Sequence, residues 1–259
     1  MPTSYASIDR RRFLKQSAWG LGLGLGGAGL AAPATRRLGA SLPGGAARTL
    51  VFQGDSITDA GRHREDERPN QPYALGSGYV GLAVAQLLGE HPGSPWQCYN
   101  RGVSGNKVFQ LAERWQEDCL DLTPDVLSIL IGVNDFWHTL SSNYDGTPEV
   151  YERDYRALLE RTRAALPDVT LIVGEPFVVR GGSAVDDDRW DSEFGAYRTA
   201  ARRVAEEVGA VWIPYQSLFD EALRNAPVEY WAPDGVHPSP AGHYLMAQAW
   251  LDALEKSLQ

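Results

Sequence analysis

The sequence predicts an α/β fold in which a five-stranded parallel sheet lies between two layers of helices, a three-layer, flavodoxin-like arrangement. Two observations support this prediction. Five short apolar runs alternate with stretches whose apolar residues recur at helical spacing. The first run, residues 49–52, ends at Gly54 and has no polar alternation, which is typical of a strand buried on both faces. Strands that alternate with helices pair in parallel through crossover connections, so helices are expected on both faces of the sheet.

The first half of the chain continues this alternation. A helix is predicted over residues 78–88, and the second strand follows at 96–100. Helix is predicted again over 108–119. The run at 125–131 is the strongest strand pattern in the sequence and gives the third strand.

The second half contains two further strands, at residues 169–173 and 210–214, and three helices. The helix before the fourth strand is indicated by the spacing of Leu158, Leu159, Thr162, Ala165 and Leu166. The helix before the fifth strand is indicated in the same way by Phe194, Tyr197, Ala201, Val204 and Val208. A last helix is expected after Pro240, with Tyr244, Leu245, Ala247, Gln248 and Leu251 on it.

Composition is typical of a globular protein. The 259 residues are 43% hydrophobic and 22% charged and include only two cysteines, which excludes a disordered tail, a collagen-like repeat or a disulfide scaffold. A formal net charge of −9 argues against a general nucleic-acid-binding protein, because such proteins carry a basic face. The sequence shows no internal repeat and no second-domain linker, so residues 48–259 are expected to form one domain, whose oligomeric state the sequence does not indicate.

Residues 1–34 resemble a signal peptide of the twin-arginine type. Basic residues at 10–12 precede an apolar, glycine-rich stretch at 18–32, and Ala32-Pro33-Ala34 provides a small-x-small cleavage site. That stretch is short for a membrane-spanning helix, which needs about 20 residues, so no stable membrane anchor is expected, an uncleaved anchor helix being the alternative. Residues 35–47 would then be a flexible lead-in, and the protein would be exported to the periplasm or the extracellular space.

The two cysteines allow two interpretations. Export would permit a disulfide between Cys98 and Cys119. The alternative is a pair of buried thiols, one on a strand and one on a helix.

Polar residues follow the first three predicted strands. Strand one is followed by Gly-Asp-Ser-Ile-Thr-Asp at 54–59, strand two by Asn-Arg-Gly-Val-Ser-Gly-Asn at 100–106, and strand three by Gly-Val-Asn-Asp at 132–135. A fourth block, Asp-Gly-Val-His-Pro, lies at 234–238.

Each of these four blocks alone could be a helix cap or a turn. Ligands of parallel sheets bind beyond the carboxyl ends of the strands. A serine, a permissive glycine, an amide and an Asp-x-x-His pair at that edge are the components of acyl transfer.

The four blocks, in this order, resemble the SGNH (GDSL-type) hydrolases, whose pattern is a GDS block, an isolated glycine, a G-x-N-D block and a D-x-x-H block. The resemblance covers residues 49–255, and Ile57 stands where the family's nickname has leucine. Strings at 52–62, 112–115, 132–137 and 237–243 look like the branch that contains acetylxylan esterases. The resemblance implies the SGNH-hydrolase fold and makes residues 48–259 the catalytic domain.

The family resemblance implies a serine esterase that hydrolyses short acyl esters, chiefly O-acetyl esters, of carbohydrates such as acetylated xylan or its oligosaccharides. The expected partner is therefore a small-molecule or oligosaccharide ester. A lysophospholipase or short-chain thioesterase on the same site is the alternative, and a non-catalytic carbohydrate-binding relative is a third reading. The sequence contains no H-E-x-x-H, no C-x-x-C and no phosphate-binding loop, so no metal and no cofactor are expected.

The resemblance assigns Ser56 as the nucleophile, His237 as the general base and Asp234 as the residue that orients the base. These roles agree with the chemistry, because a serine hydroxyl is a weak nucleophile until an imidazole removes its proton. The family's oxyanion donors correspond to the backbone N–H groups of Ser56 and Gly102 and the side-chain amide of Asn134.

Several other residues are candidates for roles in or beside the site. Ser104 lies in a near match to G-x-S-x-G, the motif of another hydrolase fold, but Asn106 replaces its last glycine. Weaker candidates for the base are His63, His91, His138 and His243. Substrate contacts are expected from residues next to the catalytic blocks, with core packing as the alternative for the aromatic ones: Asp55, Phe136, Trp137, Tyr230 and Trp231.

Overall fold

The computed structural model describes residues 47–141 and 144–258, and these contain one five-stranded sheet in the order β2-β1-β3-β4-β5. The strands are β1 (Arg48–Gly54), β2 (Trp96–Asn100), β3 (Val126–Leu130), β4 (Thr170–Gly174) and β5 (Val211–Ile213). Every neighbouring pair is parallel. The predicted fold class is therefore confirmed, with all five strands close to their expected positions.

The described residues also form eleven α-helices. They are α1 (Ser56–Asp59), α2 (Pro72–Leu75), α3 (Tyr79–Glu90), α4 (Val108–Asp118), α5 (Val133–Ser141), α6 (Pro148–Ala165), α7 (Arg189–Ser192), α8 (Phe194–Glu207), α9 (Tyr215–Ala222), α10 (Val228–Trp231) and α11 (Pro240–Ser257). The five predicted helices correspond to α3, α4, α6, α8 and α11. Helices α5 and α9 have no counterpart among the predicted elements, and α5 matters for the site because it begins within the third polar block.

The helices cover the sheet in two layers. Helices α3 and α11 pack against each other, and α6 packs against both α4 and α8. On the α11 side, the Trp250 ring lies 4.7 Å from the Phe52 ring of β1 and its Nε1 donates to Ser128 of β3 at 2.9 Å. Phe52 and Trp250 are fully buried. The sheet is thus buried on both faces, and its carboxyl edge is left as the place where polar loops meet.

The predicted signal peptide and nearly all of the lead-in lie outside the described residues, so they stay predictions. None of the described helices is long and apolar enough to span a membrane.

Cys98 and Cys119 are both buried and both free, so the disulfide alternative is not formed. Burial raises the pKa of each thiol to about 12. Both groups are therefore protonated and buried, and the structure agrees with the interpretation as two buried thiols, one on β2 and one directly after α4.

Candidate active site

Three predicted site residues form a continuous chain of contacts at the carboxyl edge of the sheet. Ser56 is the first residue of α1, directly after β1, whereas His237 lies in the loop before α11. The Ser56 hydroxyl lies 2.8 Å from Nε2 of His237, although 181 positions separate them in sequence. Nδ1 of His237 lies 2.6 Å from Oδ2 of Asp234. A carboxylate can only accept, so Nδ1 carries the proton and Nε2 is left to accept the serine hydroxyl proton.

The Asp234 carboxylate is held by its own loop. Oδ1 accepts the backbone N–H groups of Val236 at 2.9 Å and His237 at 2.7 Å, and Oδ2 accepts the His237 ring. Burial raises the pKa of Asp234, but these hydrogen bonds outweigh burial, and the pKa lies below its ordinary value. Asp234 is therefore ionised at neutral pH and can stabilise the imidazolium that forms when His237 takes a proton.

The turn between β1 and α1 places Ser56 at a helix start. Asp55 caps α1, because its Oδ1 accepts the N–H of Ile57 at 3.0 Å. Asp55 is only 1% exposed, and burial raises its pKa to about 7. The Asp55 carboxyl group therefore faces the interior and holds the turn before Ser56, which favours a structural role over the predicted substrate contact.

The three predicted oxyanion donors differ in their availability. Ser56 is the first residue of α1, and such N–H groups have no partner within the helix. Asn134 lies in the first turn of α5, and its Nδ2 donates to the carbonyl of Asn106 at 3.2 Å, which uses one of its two N–H bonds. The Gly102 N–H donates to Oδ1 of Asn100 at 2.9 Å. The Gly102 N–H is therefore already engaged within the protein.

A polar network around Asp59 joins the first two blocks, and the sequence analysis missed it. Oδ2 of Asp59 accepts the backbone N–H of Ser104 at 2.9 Å and its hydroxyl at 2.8 Å, and it also pairs with Arg64. Oδ1 accepts the N–H of Arg62, whose Nε donates to the Gly102 carbonyl at 2.8 Å. The sequence feature that could have indicated this network is the acidic side chain of Asp59, three residues after Ser56.

The contacts around Asp59 also explain why the second polar block has a glycine at position 102 and what its serine, Ser104, does. A Cβ at Gly102 would lie 2.4 Å from the backbone nitrogen of Asp59, so only glycine fits against α1 there. The Ser104 hydroxyl is bound to a carboxylate rather than to an imidazole. Ser104 therefore has the surroundings of a structural residue, not of an activated nucleophile.

The contacts of the other histidines differ from those of His237. His243 is partly buried, burial lowers its pKa to about 4, and its Nδ1 accepts the N–H of Tyr79 at the start of α3. His63 packs against Tyr73, with ring centroids 5.6 Å apart. His138 lies 3.1 Å from Nζ of Lys107. In the part of the chain that the structure describes, His237 contacts both a serine hydroxyl and a carboxylate.

The predicted aromatic contacts divide into core and rim residues. Phe136 is fully buried against Trp190 and Phe194, with ring centroids 4.8 and 5.5 Å away. Its burial favours core packing, the alternative to the predicted substrate contact. Trp137 is partly buried, and its ring centroid lies 6.3 Å from that of His237. Trp137 therefore lies directly beside the His237 ring.

Tyr230 and Trp231 lie on α10, just before the Asp234 loop. Their rings meet edge to face with centroids 4.9 Å apart. Tyr230 is 56% exposed, whereas Trp231 is partly buried and donates its Nε1 to the Ala226 carbonyl at 3.2 Å. Tyr230 thus presents an open aromatic surface near the loop that carries Asp234 and His237, and Trp231 packs against it.

Within residues 47–141 and 144–258, no group of three or more His, Cys, Asp or Glu side chains is arranged to hold a metal ion. What the site does contain is a hydroxyl, an imidazole, an ionised carboxylate and amide donors. These are the groups that acyl transfer through a covalent serine intermediate requires.

Comparisons with known proteins point to the same chemistry. Residues 52–245 match the GDSL-like lipase/acylhydrolase family. The chain is 35% identical to an acetylxylan esterase of Geobacillus stearothermophilus, over 80% of this chain and 94% of that protein. A solved structure of the Geobacillus acetylxylan esterase Axe2 matches with a TM-score of 0.71 at 32% identity, covering 85% and 96% of the two chains. A Parabacteroides merdae structure described as a GDSL-like lipase matches with a TM-score of 0.78 at 50% identity, covering 80% and 94%.

Proposed function

Because the chain belongs to the GDSL-like lipase/acylhydrolase family and is a carboxylic ester hydrolase, we propose that it removes short acyl groups, chiefly acetyl, from carbohydrate esters such as acetylated xylan or its oligosaccharides. The observation that carries the catalytic part of this proposal is the Ser56–His237–Asp234 contact chain, with distances of 2.8 and 2.6 Å.

The proposed reaction has two stages. In the first, Nε2 of His237 takes the Ser56 proton while Oγ attacks the ester carbonyl. The imidazolium then protonates the sugar oxygen as its bond to the acyl carbon breaks, and the sugar leaves as the free alcohol. The negative charge on the carbonyl oxygen is stabilised by the Ser56 N–H and the free N–H of Asn134. In the second stage, water attacks the acyl-enzyme with His237 as the base, and the carboxylic acid leaves.

The carbohydrate part of the proposal rests on two further observations. The relative at 35% identity is an acetylxylan esterase, and solved structures that match this chain are described as an acetylxylan esterase or an acetyl-xylooligosaccharide esterase. In this chain, the exposed Tyr230 ring and the Trp137 ring beside His237 offer the flat apolar faces on which sugar rings stack.

We expect the wild-type protein to release acetate from acetylated xylan or its oligosaccharides faster than from acetylated pectin or from peracetylated monosaccharides. The measurement is the initial rate of acetate release at equal acetyl concentration, with Ser56→Ala as the blank. Equal rates on all three substrates would contradict the proposal that acetylated xylan is the preferred substrate. The absence of any acetate release above the blank would overturn the proposed function.

A lysophospholipase or short-chain thioesterase is the second candidate, and the 50% identical relative described as a GDSL-like lipase favours it. The two candidates differ in acyl chain length. For a deacetylase, kcat/KM on p-nitrophenyl esters should fall by about tenfold or more from acetate to octanoate, since methylene groups that do not fit a closed pocket cost about 1–3 kcal/mol. A profile that peaks at octanoate would favour the lipid substrate instead.

A further inference from the structure

A loop between β4 and α7, residues 179–185 and here called the supporting loop, lies against the loop that carries Asp234. Three consecutive carbonyls of the Asp234 loop each accept a backbone N–H from it. The Gly235 carbonyl accepts from Val179 at 2.7 Å, the Asp234 carbonyl from Ala184 at 2.9 Å, and the Pro233 carbonyl from Ser183 at 3.3 Å. The backbone on both sides of the Asp234 side chain is therefore bonded to this second loop.

The backbones of the two loops also lie closer together than any residue with a Cβ atom would allow at the two contact positions. A Cβ at Gly182 would lie 2.1 Å from the nitrogen of Gly235 and 2.3 Å from the carbonyl carbon of Asp234, so only glycine fits there. Gly235 has φ +87°, and a Cβ on it would lie 2.6 Å from the Val179 carbonyl oxygen. One glycine from each loop thus permits direct backbone contact beside Asp234.

The supporting loop is held in shape by Arg180. Its Nη1 donates to the carbonyls of Val185 at 2.8 Å and Asp187 at 3.4 Å, and its Nε lies 3.0 Å from Oδ1 of Asp191. Val185 is 2% exposed and packs toward Gly235. The guanidinium closes the loop on itself and ties it to α7, so the loop presents its N–H groups in a fixed arrangement.

We propose that the supporting loop positions the Asp234 carboxylate for catalysis, with Gly182 as the positioning residue at the contact and Arg180 as the residue that keeps the loop in shape. This inference rests on the proposed function, because the position of Asp234 matters for the rate only if His237 acts as the catalytic base. The physical reason is that a misplacement of about 1 Å in a catalytic group costs on the order of 100-fold in rate. Asp234 holds the His237 ring at 2.6 Å, so a shift of its backbone would move the ring as well.

The first test replaces Gly182 by alanine. The added methyl group must push the two loops apart, and we expect kcat on p-nitrophenyl acetate to fall by about 100-fold with a much smaller change in KM. The second readout does not depend on turnover. The short hydrogen bond from Nδ1–H of His237 to Asp234 should give a far-downfield proton NMR resonance in the wild type, and this resonance should be lost in the variant.

Gly195→Ala is the matched control. Gly195 lies on α8, and a Cβ there would meet no atom within 4 Å. This variant makes the same chemical change without touching the Asp234 loop. It should keep the wild-type kcat and the downfield resonance.

Arg180→Ala tests the same idea without a steric clash, in case Gly182→Ala does not fold. The Arg180 side chain is partly exposed, so its removal should loosen the supporting loop while the core stays intact. We expect kcat to fall about tenfold and the downfield resonance to weaken. Arg180→Lys should recover part of both signals, because an ammonium group can still donate to the Val185 carbonyl.

The outcomes separate the two proposals. If folded Gly182→Ala and Arg180→Ala both keep wild-type kcat and the resonance while Ser56→Ala is inactive, the supporting-loop inference is overturned and the proposed function stands. If the wild type hydrolyses no acetyl ester, the proposed function fails. In that case retention of the resonance in both folded variants would overturn the positioning role, and its loss in both would support it.

Discussion

Ser56→Ala is expected to lower kcat for p-nitrophenyl acetate by about 10⁶-fold, the size of effect found when the nucleophile of a serine triad is removed. Without the hydroxyl, His237 has nothing to deprotonate and no acyl-enzyme can form. A small rate above that in water should remain, because the amide donors and the substrate-binding surface are unchanged. The measurement is steady-state hydrolysis combined with labelling by a phosphonate ester, which reacts covalently with an activated serine.

Ser104→Ala is the matched control for that labelling. It removes a serine hydroxyl from the neighbouring block, where the hydroxyl donates to Asp59 rather than to an imidazole. We expect Ser104→Ala to take up one phosphonate per chain, as the wild type does, and Ser56→Ala to take up none. Equal labelling of the wild type and Ser56→Ala would contradict the assignment of the nucleophile.

The fold and the three residues of the contact chain could be predicted because their signals are local. A strand buried on both faces must be apolar throughout, which is why the runs around Phe52 and Ile129 stand out. The polar blocks directly after these runs must then lie at one edge of the sheet. The Asp234–His237 pairing is also local, since both residues belong to one short loop.

Helix α5 was missed although its signal was present. Val133, Phe136, Trp137 and Leu140 recur at helical spacing, but the preceding residues were interpreted as a turn block that ends strand three. The helix begins within that block, and this places Asn134 in the first turn of α5. The helical spacing places Phe136 and Trp137 in the same helix as Asn134, within one turn of it.

Other features could not be predicted because they depend on which distant groups meet. Phe136 is buried by Trp190 and Phe194, which follow β4 and come from a different part of the chain. The pairing of the Gly102 N–H with the Asn100 side chain depends on a rotamer, and a sequence pattern carries no rotamer information. The close contact of Gly182 with the Asp234 loop likewise joins two loops separated by about fifty positions.

Asn134→Ala should have the second largest effect, with kcat lowered by about 10²–10³-fold and KM little changed. Loss of one oxyanion donor typically costs about 2.7–4 kcal/mol in the transition state. The upper part of that range is expected here, because the Gly102 N–H is engaged by Asn100 and more of the charge stabilisation falls on Ser56 and Asn134. Stability should change by only about 1 kcal/mol, since the side chain donates a single hydrogen bond within the protein.

Asn70→Ala is the control that separates catalysis from stability. The Asn70 side chain makes two hydrogen bonds, to the Trp96 carbonyl at 2.7 Å and from the Cys98 N–H at 2.9 Å, in the first half of β2 and away from the carboxyl edge. This variant should lose at least as much stability as Asn134→Ala in thermal unfolding and keep its kcat. If Asn134→Ala instead kept near wild-type kcat, the oxyanion would have to be held by backbone groups alone, and the Gly102 N–H would have to leave Asn100 when substrate binds.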